Sequence, residues 1–139
     1  MKPARIFFIS GTDTGVGKTV FAATAAILLR QQSQRVVALK PICSGGRDDA
    51  RLLQAAAGKV VPLDEVNPWH FRAALAPVLA ARKEKKRVRL RAVVSHIGRV
   101  AKKFEVVIVE GAGGLLSPLG EDFDSRDLIR ALNATPIIV

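Results

Sequence analysis

A glycine-rich stretch near the start of the sequence combines the residue types that bind phosphate. Residues 10–19 read Ser-Gly-Thr-Asp-Thr-Gly-Val-Gly-Lys-Thr. Backbone N–H groups in such a loop, together with the positive end of a following helix dipole, attract a polyphosphate. The lysine of this pattern reaches the β- and γ-phosphates, and the hydroxyl after it binds Mg²⁺. The predicted nucleotide-binding residues are therefore Thr14, Gly15, Val16, Gly17, Lys18 and Thr19.

The loop is a variant of the usual pattern G-x-x-x-x-G-K-[ST], because Thr12 holds the first glycine position and Gly11 stands one place earlier. A predicted strand over Arg5–Ser10 precedes it, and an alanine-rich helix over Val20–Leu29 follows. A glycine turn without chemistry would explain the glycines, but not a lysine and a threonine together at a helix start. The strand, loop and helix together favour the nucleotide site.

Two further charged side chains, Lys40 and Asp49, stand next to predicted elements. Val36–Leu39 forms a strand that ends at Lys40, since the next residue is Pro41. The residues alone leave two interpretations of Lys40 open, a solvated strand end or a ligand at the carboxyl edge of the sheet. Asp49 stands before a predicted helix over Ala50–Ala57, where a carboxylate is either a cap or first-turn acid or a metal ligand.

Phe104–Glu110 is the clearest strand in the sequence. An apolar strand that ends in a carboxylate resembles the Walker B arrangement, in which the acid meets the nucleotide-bound Mg²⁺ directly or through water. Gly111–Gly114 follow and are predicted to form a flexible loop whose backbone approaches a ligand closely.

The remaining segments complete an alternation of strands and helices. Residues 42–49 and 59–70 are predicted to be irregular, and a helix over Arg72–Ala81 is expected to kink at Pro77. The last predicted segments are a loop over Leu115–Asp124, a helix over Ser125–Leu132 and a strand over Pro136–Val139. This order predicts an α/β fold of three layers with a mostly parallel central sheet, like that of P-loop NTPases. Residues 1–139 are expected to form a single domain, cut off inside a larger one because an apolar strand stands at the last residue.

Composition agrees with a core-rich α/β protein. The chain has 139 residues, 49% of them hydrophobic, and a mean hydropathy of +0.22. The sequence contains no apolar run of the roughly 18 residues that span a bilayer and no secretory signal. Its single cysteine, Cys43, suits a reducing compartment and a small apolar filler role. A cytoplasmic protein without a membrane partner is expected.

Most of the formal charge of +10 lies within residues 82–103, where ten basic residues face one acid, Glu84. The later apolar residues of this stretch recur at helical spacing, which predicts a basic connection entering an amphipathic helix with a solvated face. An anion or nucleic-acid patch is the weaker alternative, because no aromatic side chain is interleaved for base stacking. Nucleic acid is therefore an unlikely partner.

Four segments together resemble the dethiobiotin synthetase family in order and approximate spacing. They are residues 11–19, Lys40-Pro41 with Ser44-Gly45, Asn67-Pro68 with Phe71, and residues 109–114 with Pro118-Leu119. The resemblance implies an ATP- and Mg²⁺-dependent homodimeric ligase that closes the ureido ring of dethiobiotin from 7,8-diaminononanoate and CO₂.

The same resemblance implies roles for particular residues. Lys18, Lys40 and Thr12 would be catalytic, and Thr19, Asp49 and Glu110 would bind Mg²⁺. The substrate-binding residues would be Ser44, Gly111, Ala112, Gly113, Gly114 and Leu115.

The sequence is also compatible with two other functions. One is an ATPase switch of the chromosome-partition and septum-site type, with the basic stretch on DNA or an anionic membrane. Such proteins usually carry a second lysine early in the loop, where this sequence has Asp13. The other is an inactive nucleotide-binding fragment.

Overall fold

The computed structural model describes residues 2–12, residue 15 and residues 17–139. The strands are β1 (Arg5–Gly11), β2 (Val36–Leu39), β3 (Ile42–Ser44), β4 (Trp69–Phe71), β5 (Val106–Gly114), β6 (Pro118–Gly120), β7 (Phe123–Asp124) and β8 (Thr135–Ile138). The helices are α1 (Lys18–Gln31), α2 (Asp48–Ala56), α3 (Leu63–Val66), α4 (Pro77–Lys83), α5 (Leu90–Ala101) and α6 (Ser125–Leu132).

The central sheet has the order β2-β5-β1-β8, and its neighbouring strands pair in parallel. Strands β1 and β5 lie in the middle, so their apolar residues are covered on both faces, as in other parallel sheets. Phe8 pairs with Val109 and Ile9 with Glu110 in the β1–β5 register. This register brings the carboxyl ends of β1 and β5 to the same edge of the sheet.

Successive side chains of each strand point to opposite faces, and this alternation divides the core into two parts. Phe8 and Val107 pack on one face with buried residues of α4, α5 and α6. Ile9 and Ile108 pack on the other face with α1 and α2. The predicted three-layer fold with a mostly parallel sheet is confirmed.

Three small buried alanines let α1 lie close to its face of the sheet, at positions Ala22, Ala23 and Ala26. The helix α6 begins at a capping box, in which the Asp124 side chain accepts from the backbone N–H of Asp127 and the Asp127 side chain accepts from that of Asp124. The Arg126 guanidinium, hydrogen-bonded to Asp124, holds the pKa of that carboxyl below its ordinary value.

Several predicted boundaries are wrong. The helix expected from Arg72 begins at Pro77, because proline fits the first helical turn and disfavours helix in the residue before it. Gly111–Gly114 continue β5 instead of forming a loop. Strand β3 lies in the segment 42–49, and α3 and β4 lie in the segment 59–70, both of which the sequence predicts to be irregular. β3 and β4 form a separate two-stranded sheet.

The loop expected over Leu115–Asp124 contains the antiparallel pair β6–β7. Acids next to this pair neutralise part of the basic stretch. Arg82 donates two hydrogen bonds of 2.6 Å to Glu121, and Arg87 lies 3.8 Å from Asp122. The helix α5 buries Val93, Ile97 and Val100 and exposes its arginines, which agrees with a solvated basic face.

Within the described part of the chain, no helix combines the length and the apolar character that crossing a bilayer requires.

Candidate functional site

A cleft of about 810 Å³ opens at the carboxyl edge of the central sheet. Open parallel sheets bind their ligands at this edge. Its lining comes from the start of α1, the ends of β2, β3 and β5, the start of α2 and the segment before α4. The residues that line it include Gly15, Gly17, Lys18, Thr19, Lys40, Cys43, Ser44, Asp49, Leu75, Glu110, Ala112 and Gly113.

The start of α1 carries the two side chains expected to meet a nucleotide. Gly17 is the N-cap with φ of 96°, a left-handed conformation that suits glycine. Lys18 is only 6% exposed, and its Nζ donates to the Gly113 carbonyl at 2.9 Å. The Thr19 hydroxyl donates to Glu110 Oε2 at 3.0 Å. The first turn of α1 is thus joined directly to the end of β5.

A buried ion pair forms beside these contacts. The Lys40 ammonium, at the end of β2, bonds Glu110 Oε2 and lies 3.6 Å from Asp49 Oδ2 at the start of α2. Its Nζ also donates to the Gly111 carbonyl at 3.3 Å. Lys40 and Glu110 are 6% and 1% exposed. Four side chains that stand far apart in the sequence therefore share one network: Thr19, Lys40, Asp49 and Glu110.

The carboxylates and the hydroxyl of this network fit a magnesium ion. Glu110 Oε1 is buried and has no hydrogen-bond partner among the described residues, so one lone-pair face of the carboxylate is uncommitted. The Asp49 side chain is 57% exposed and faces the cleft. Mg²⁺ is usually held by one or two carboxylates together with water and substrate phosphates. In the described ranges, no group of three or more His, Cys, Asp or Glu side chains is placed to hold a metal.

The segment before α4 gives the cleft an apolar part. Leu75 is 44% exposed there, and the carbonyl of the same residue accepts a hydrogen bond from the Ser44 hydroxyl. Gly45 has φ of 87°, and a Cβ at that position would come within 3.3 Å of Ala74. The glycine therefore permits the close approach of this segment to the end of β3.

The other predicted site residues are distributed as follows. Ser44, Ala112 and Gly113 line the cleft, whereas Thr12, Gly111, Gly114 and Leu115 are not in its lining. The Gly111 carbonyl meets Lys40, and the Gly114 N–H donates to Ser117 Oγ at 3.0 Å. The predicted nucleotide ligands Thr14 and Val16 lie outside the described residues.

Cys43 lines the cleft, although the sequence indicates only a filler role. Its Sγ lies 3.2 Å from both the Gly46 carbonyl and Asn67 Oδ1, so the thiol donates to one or the other. Burial raises the pKa of the Cys43 thiol, an effect that the Asn67 hydrogen bond and the Lys40 charge partly offset.

Sequence reasoning also missed Asn67 as part of the site's support. It is fully buried and donates to the Lys40 carbonyl at 2.7 Å. The Asn-Pro pair at this position was the available signal. Nothing in the local sequence indicates that a residue 27 positions away contacts it.

Comparison with known proteins identifies the family of this chain and several relatives. A family model described as AAA domain matches residues 5–139. The ATP-dependent dethiobiotin synthetase BioD of Bacillus subtilis is 41% identical over 97% of this chain and 61% of its own length. That of Methanococcus vannielii is 34% identical over 96% of this chain and 64% of its own length. The chain thus spans about three fifths of the length of these relatives.

Among solved structures, the signal recognition particle receptor FtsY of Elizabethkingia anophelis in complex with GDP matches with a TM-score of 0.47. The identity is 19%, and the match covers 96% of this chain and 34% of that one. The chain belongs to the AAA domain family, and its relatives confirm the resemblance to the ATP-dependent dethiobiotin synthetases that its motifs predict.

Proposed function

We propose that this chain carries the phosphoryl-transfer site of an ATP- and Mg²⁺-dependent ligase that forms dethiobiotin from 7,8-diaminononanoate and CO₂. The observation that carries the proposal is the convergence of Lys18, Thr19, Lys40, Asp49 and Glu110 on one cleft. The names of the relatives supply the product, and the apolar part of the cleft at Leu75 suits an alkyl substrate.

The reaction has three balanced steps. One substrate amine adds to CO₂ and loses a proton, which gives a carbamate. A carbamate oxygen then attacks the γ-phosphorus of ATP, so that ADP leaves and a carbamic-phosphoric anhydride forms. The second amine attacks the carbonyl carbon of this anhydride and loses a proton, and phosphate leaves as the cyclic urea closes.

The protein's contribution to these steps is charge and position. Phosphoryl transfer involves little covalent work by the protein, and fixed positive groups stabilise the charge that spreads over the transferred oxygens. Lys18 would neutralise the phosphate chain and Lys40 the carbamate and the transferring group. The Ser44 and Thr12 hydroxyls would donate to the substrate oxygens. The backbone at Ala112 and Gly113, which lines the cleft, would contact the diamine.

Thr19, Asp49 and Glu110 would hold Mg²⁺, which when bound screens the phosphate charge. The uncommitted Glu110 Oε1 and the exposed Asp49 carboxylate support this role. A homodimer and a cytoplasmic location are further parts of the proposal, and light scattering of the purified chain tests the first of them.

The deciding experiment incubates the purified chain with ATP, Mg²⁺, bicarbonate and diaminononanoate, and follows dethiobiotin by mass spectrometry. Lys18→Ala removes the phosphate-binding charge, and Lys103→Ala is the matched control because it removes an exposed lysine of the basic stretch. We expect product from the parent and Lys103→Ala chains and a loss of about 100-fold or more in Lys18→Ala.

Two results would contradict the ligase. ATP hydrolysis that needs no diamine and is stimulated by DNA would indicate the partition-type switch. Nucleotide binding without any turnover would indicate an inactive nucleotide-binding fragment.

A further inference from the structure

The side chain of Asn67 is completely buried between α3 and β4, with an exposed fraction of 0%. A buried amide needs partners for both its donor and its acceptor atoms, since a buried polar group without a hydrogen bond destabilises the fold. Asn67 has partners at both ends, and they belong to two different parts of the cleft.

The donor end holds the backbone of Lys40. Asn67 Nδ2 donates to the Lys40 carbonyl at 2.7 Å and reaches the carbonyls of Pro41 and Trp69 at 3.5 Å. Here the chain leaves β2 in the central sheet and enters β3 in the small sheet, so the Lys40 carbonyl has no place in a strand ladder. The Lys40 N–H donates to the Val66 carbonyl at 3.0 Å. Residues 66 and 67 thus fix both backbone polar groups of this lysine.

The acceptor end holds the start of α2. Asn67 Oδ1 accepts from Arg47 Nε at 3.0 Å and lies 3.2 Å from Cys43 Sγ. Arg47 is the N-cap residue of α2, two positions before Asp49. Its Nη2 also donates to the Asn67 carbonyl at 3.0 Å and pairs with Asp64 at 2.9 Å.

We propose that Asn67 is a positioning residue, whose amide joins the Lys40 backbone to the Arg47 cap and thereby sets the placement of Lys40 relative to Asp49. The 3.6 Å contact between those two side chains lies across the junction that Asn67 spans. Asn67 touches none of the reacting groups. The kinetic consequence rests on the proposed ligase, whereas the placement of Lys40 does not.

The most informative variant is Asn67→Asp. It keeps the shape of the side chain and the oxygen that accepts from Arg47. It replaces the NH₂ group that donates to the Lys40 carbonyl by a second oxygen, which cannot donate. Asn133→Asp is the matched control, because it makes the same chemical change at an exposed residue after α6. If only the Arg47 contact mattered, Asn67→Asp would behave like the control. Arg47→Met removes the hydrogen bond from Arg47 to Asn67 Oδ1 at a partly exposed residue. It is the variant to measure if Asn67→Asp does not fold.

Four measurements are made on each variant: kcat, the Kd for ADP, the acetylation rate of Lys40 and the Tm. In Asn67→Asp we expect kcat for dethiobiotin formation to fall about 30- to 100-fold, since a misplacement of about 1 Å has that effect. The Kd for ADP with Mg²⁺ should change less than about threefold, because Lys18 and Thr19 belong to another element. The acetylation of Lys40 by acetic anhydride, measured against Lys103 in the same molecule, should accelerate about fivefold as its contacts loosen. Arg47→Met should lower kcat about tenfold.

Unchanged kcat and unchanged Lys40 acetylation in folded Asn67→Asp or Arg47→Met would overturn the proposal. So would a parallel loss of kcat, ADP affinity and thermal stability, because a merely structural residue would move all three together. If the parent chain forms no dethiobiotin, the proposed function fails by itself. The Lys40 acetylation comparison then decides the placement of Lys40 alone.

Discussion

At the scale of single residues, the Lys40–Glu110 pair is the feature that stability alone explains least well. Taking two charges out of water costs several kcal/mol per ion, and their attraction seldom repays more than that cost. Both side chains are nevertheless buried, and Glu110 Oε1 is left without a partner among the described residues. Such an arrangement is more typical of a site that prepares charges for a ligand than of a structural core.

Removing one partner of this pair should lower the free energy of unfolding strongly, whereas replacing both partners by apolar residues should not. Glu110→Gln leaves the Lys40 charge buried beside the partly exposed Asp49 alone, so we expect the free energy of unfolding to fall by about 3 kcal/mol. The double variant Lys40→Met, Glu110→Leu should recover most of that loss. Urea denaturation of the three chains measures this, and a double variant less stable than Glu110→Gln would contradict the argument. Both variants should lack ligase activity.

The single thiol of the chain offers a second test at this scale. Because burial raises the pKa of Cys43, a smaller fraction is thiolate at neutral pH than in an ordinary cysteine. We expect iodoacetamide to modify the folded chain at pH 7 at least about tenfold more slowly than the chain in guanidinium chloride. The rate for the folded chain should still be rising above pH 9. A plateau near pH 8 would show that the pKa is not raised.

At the scale of elements, strand β5 has two functions that a loop could not combine. Its first residues pair with β1 and β2 in the sheet. Near its end, the backbone carbonyls of Gly111 and Gly113 accept hydrogen bonds from Lys40 and Lys18. Packing also requires glycine at position 111, because a Cβ on Gly111 would lie 2.9 Å from Phe8 Cε1. The strand therefore needs glycine for a reason unrelated to any substrate.

Gly111→Ala should overpack this contact and lower the free energy of unfolding by about 1–3 kcal/mol. Phe8→Leu removes the ring atoms that the new methyl group would meet. In the double variant we expect the loss to be smaller than the sum of the single losses by about 1 kcal/mol. Denaturation of the four chains of this double-mutant cycle gives the coupling, and strict additivity would show that the ring does not limit the site.

At the scale of the whole molecule, the site exists because two neighbouring strands and two helix starts meet at one sheet edge. The start of α1 faces the end of β5, and the start of α2 faces the end of β2. Ligand binding that uses these elements together must stabilise the folded state as a whole, since a ligand that binds only this state adds RT ln(1 + [L]/Kd).

ATP with Mg²⁺ at about 100 times its Kd should raise the free energy of unfolding by about 2.7 kcal/mol. Thermal unfolding of the parent chain with and without the nucleotide measures the corresponding rise in Tm. Lys18→Ala should show little or no rise at the same concentration. Lys103→Ala, as the control, should behave like the parent, and an equal rise in Lys18→Ala would remove Lys18 from the nucleotide site.

Much of the fold and the composition of the site followed from local patterns. The strand Val36–Leu39 and the helix Ser125–Leu132 have the predicted bounds, because proline and capping signals are local. The resemblance to the dethiobiotin synthetases placed Lys18, Thr19, Lys40, Asp49 and Glu110 in one predicted site, whereas the residues alone left Lys40 and Asp49 open. Their assigned roles, the homodimer and the single domain over residues 1–139 stay predictions.

The tertiary structure decided what local patterns could not. Five segments were assigned wrongly, namely residues 42–49, 59–70, 72–76, 111–114 and 115–124. Pairing with β1 and with β3, and not propensity, makes Gly111–Gly114 and Trp69–Phe71 strands. Sequence alone determined which charges this protein carries to the edge of its sheet. Only the fold decided that Glu110 joins Thr19 to Lys40 and that Asn67 supports Lys40, since contacts between residues 27 to 91 positions apart depend on strand order and register.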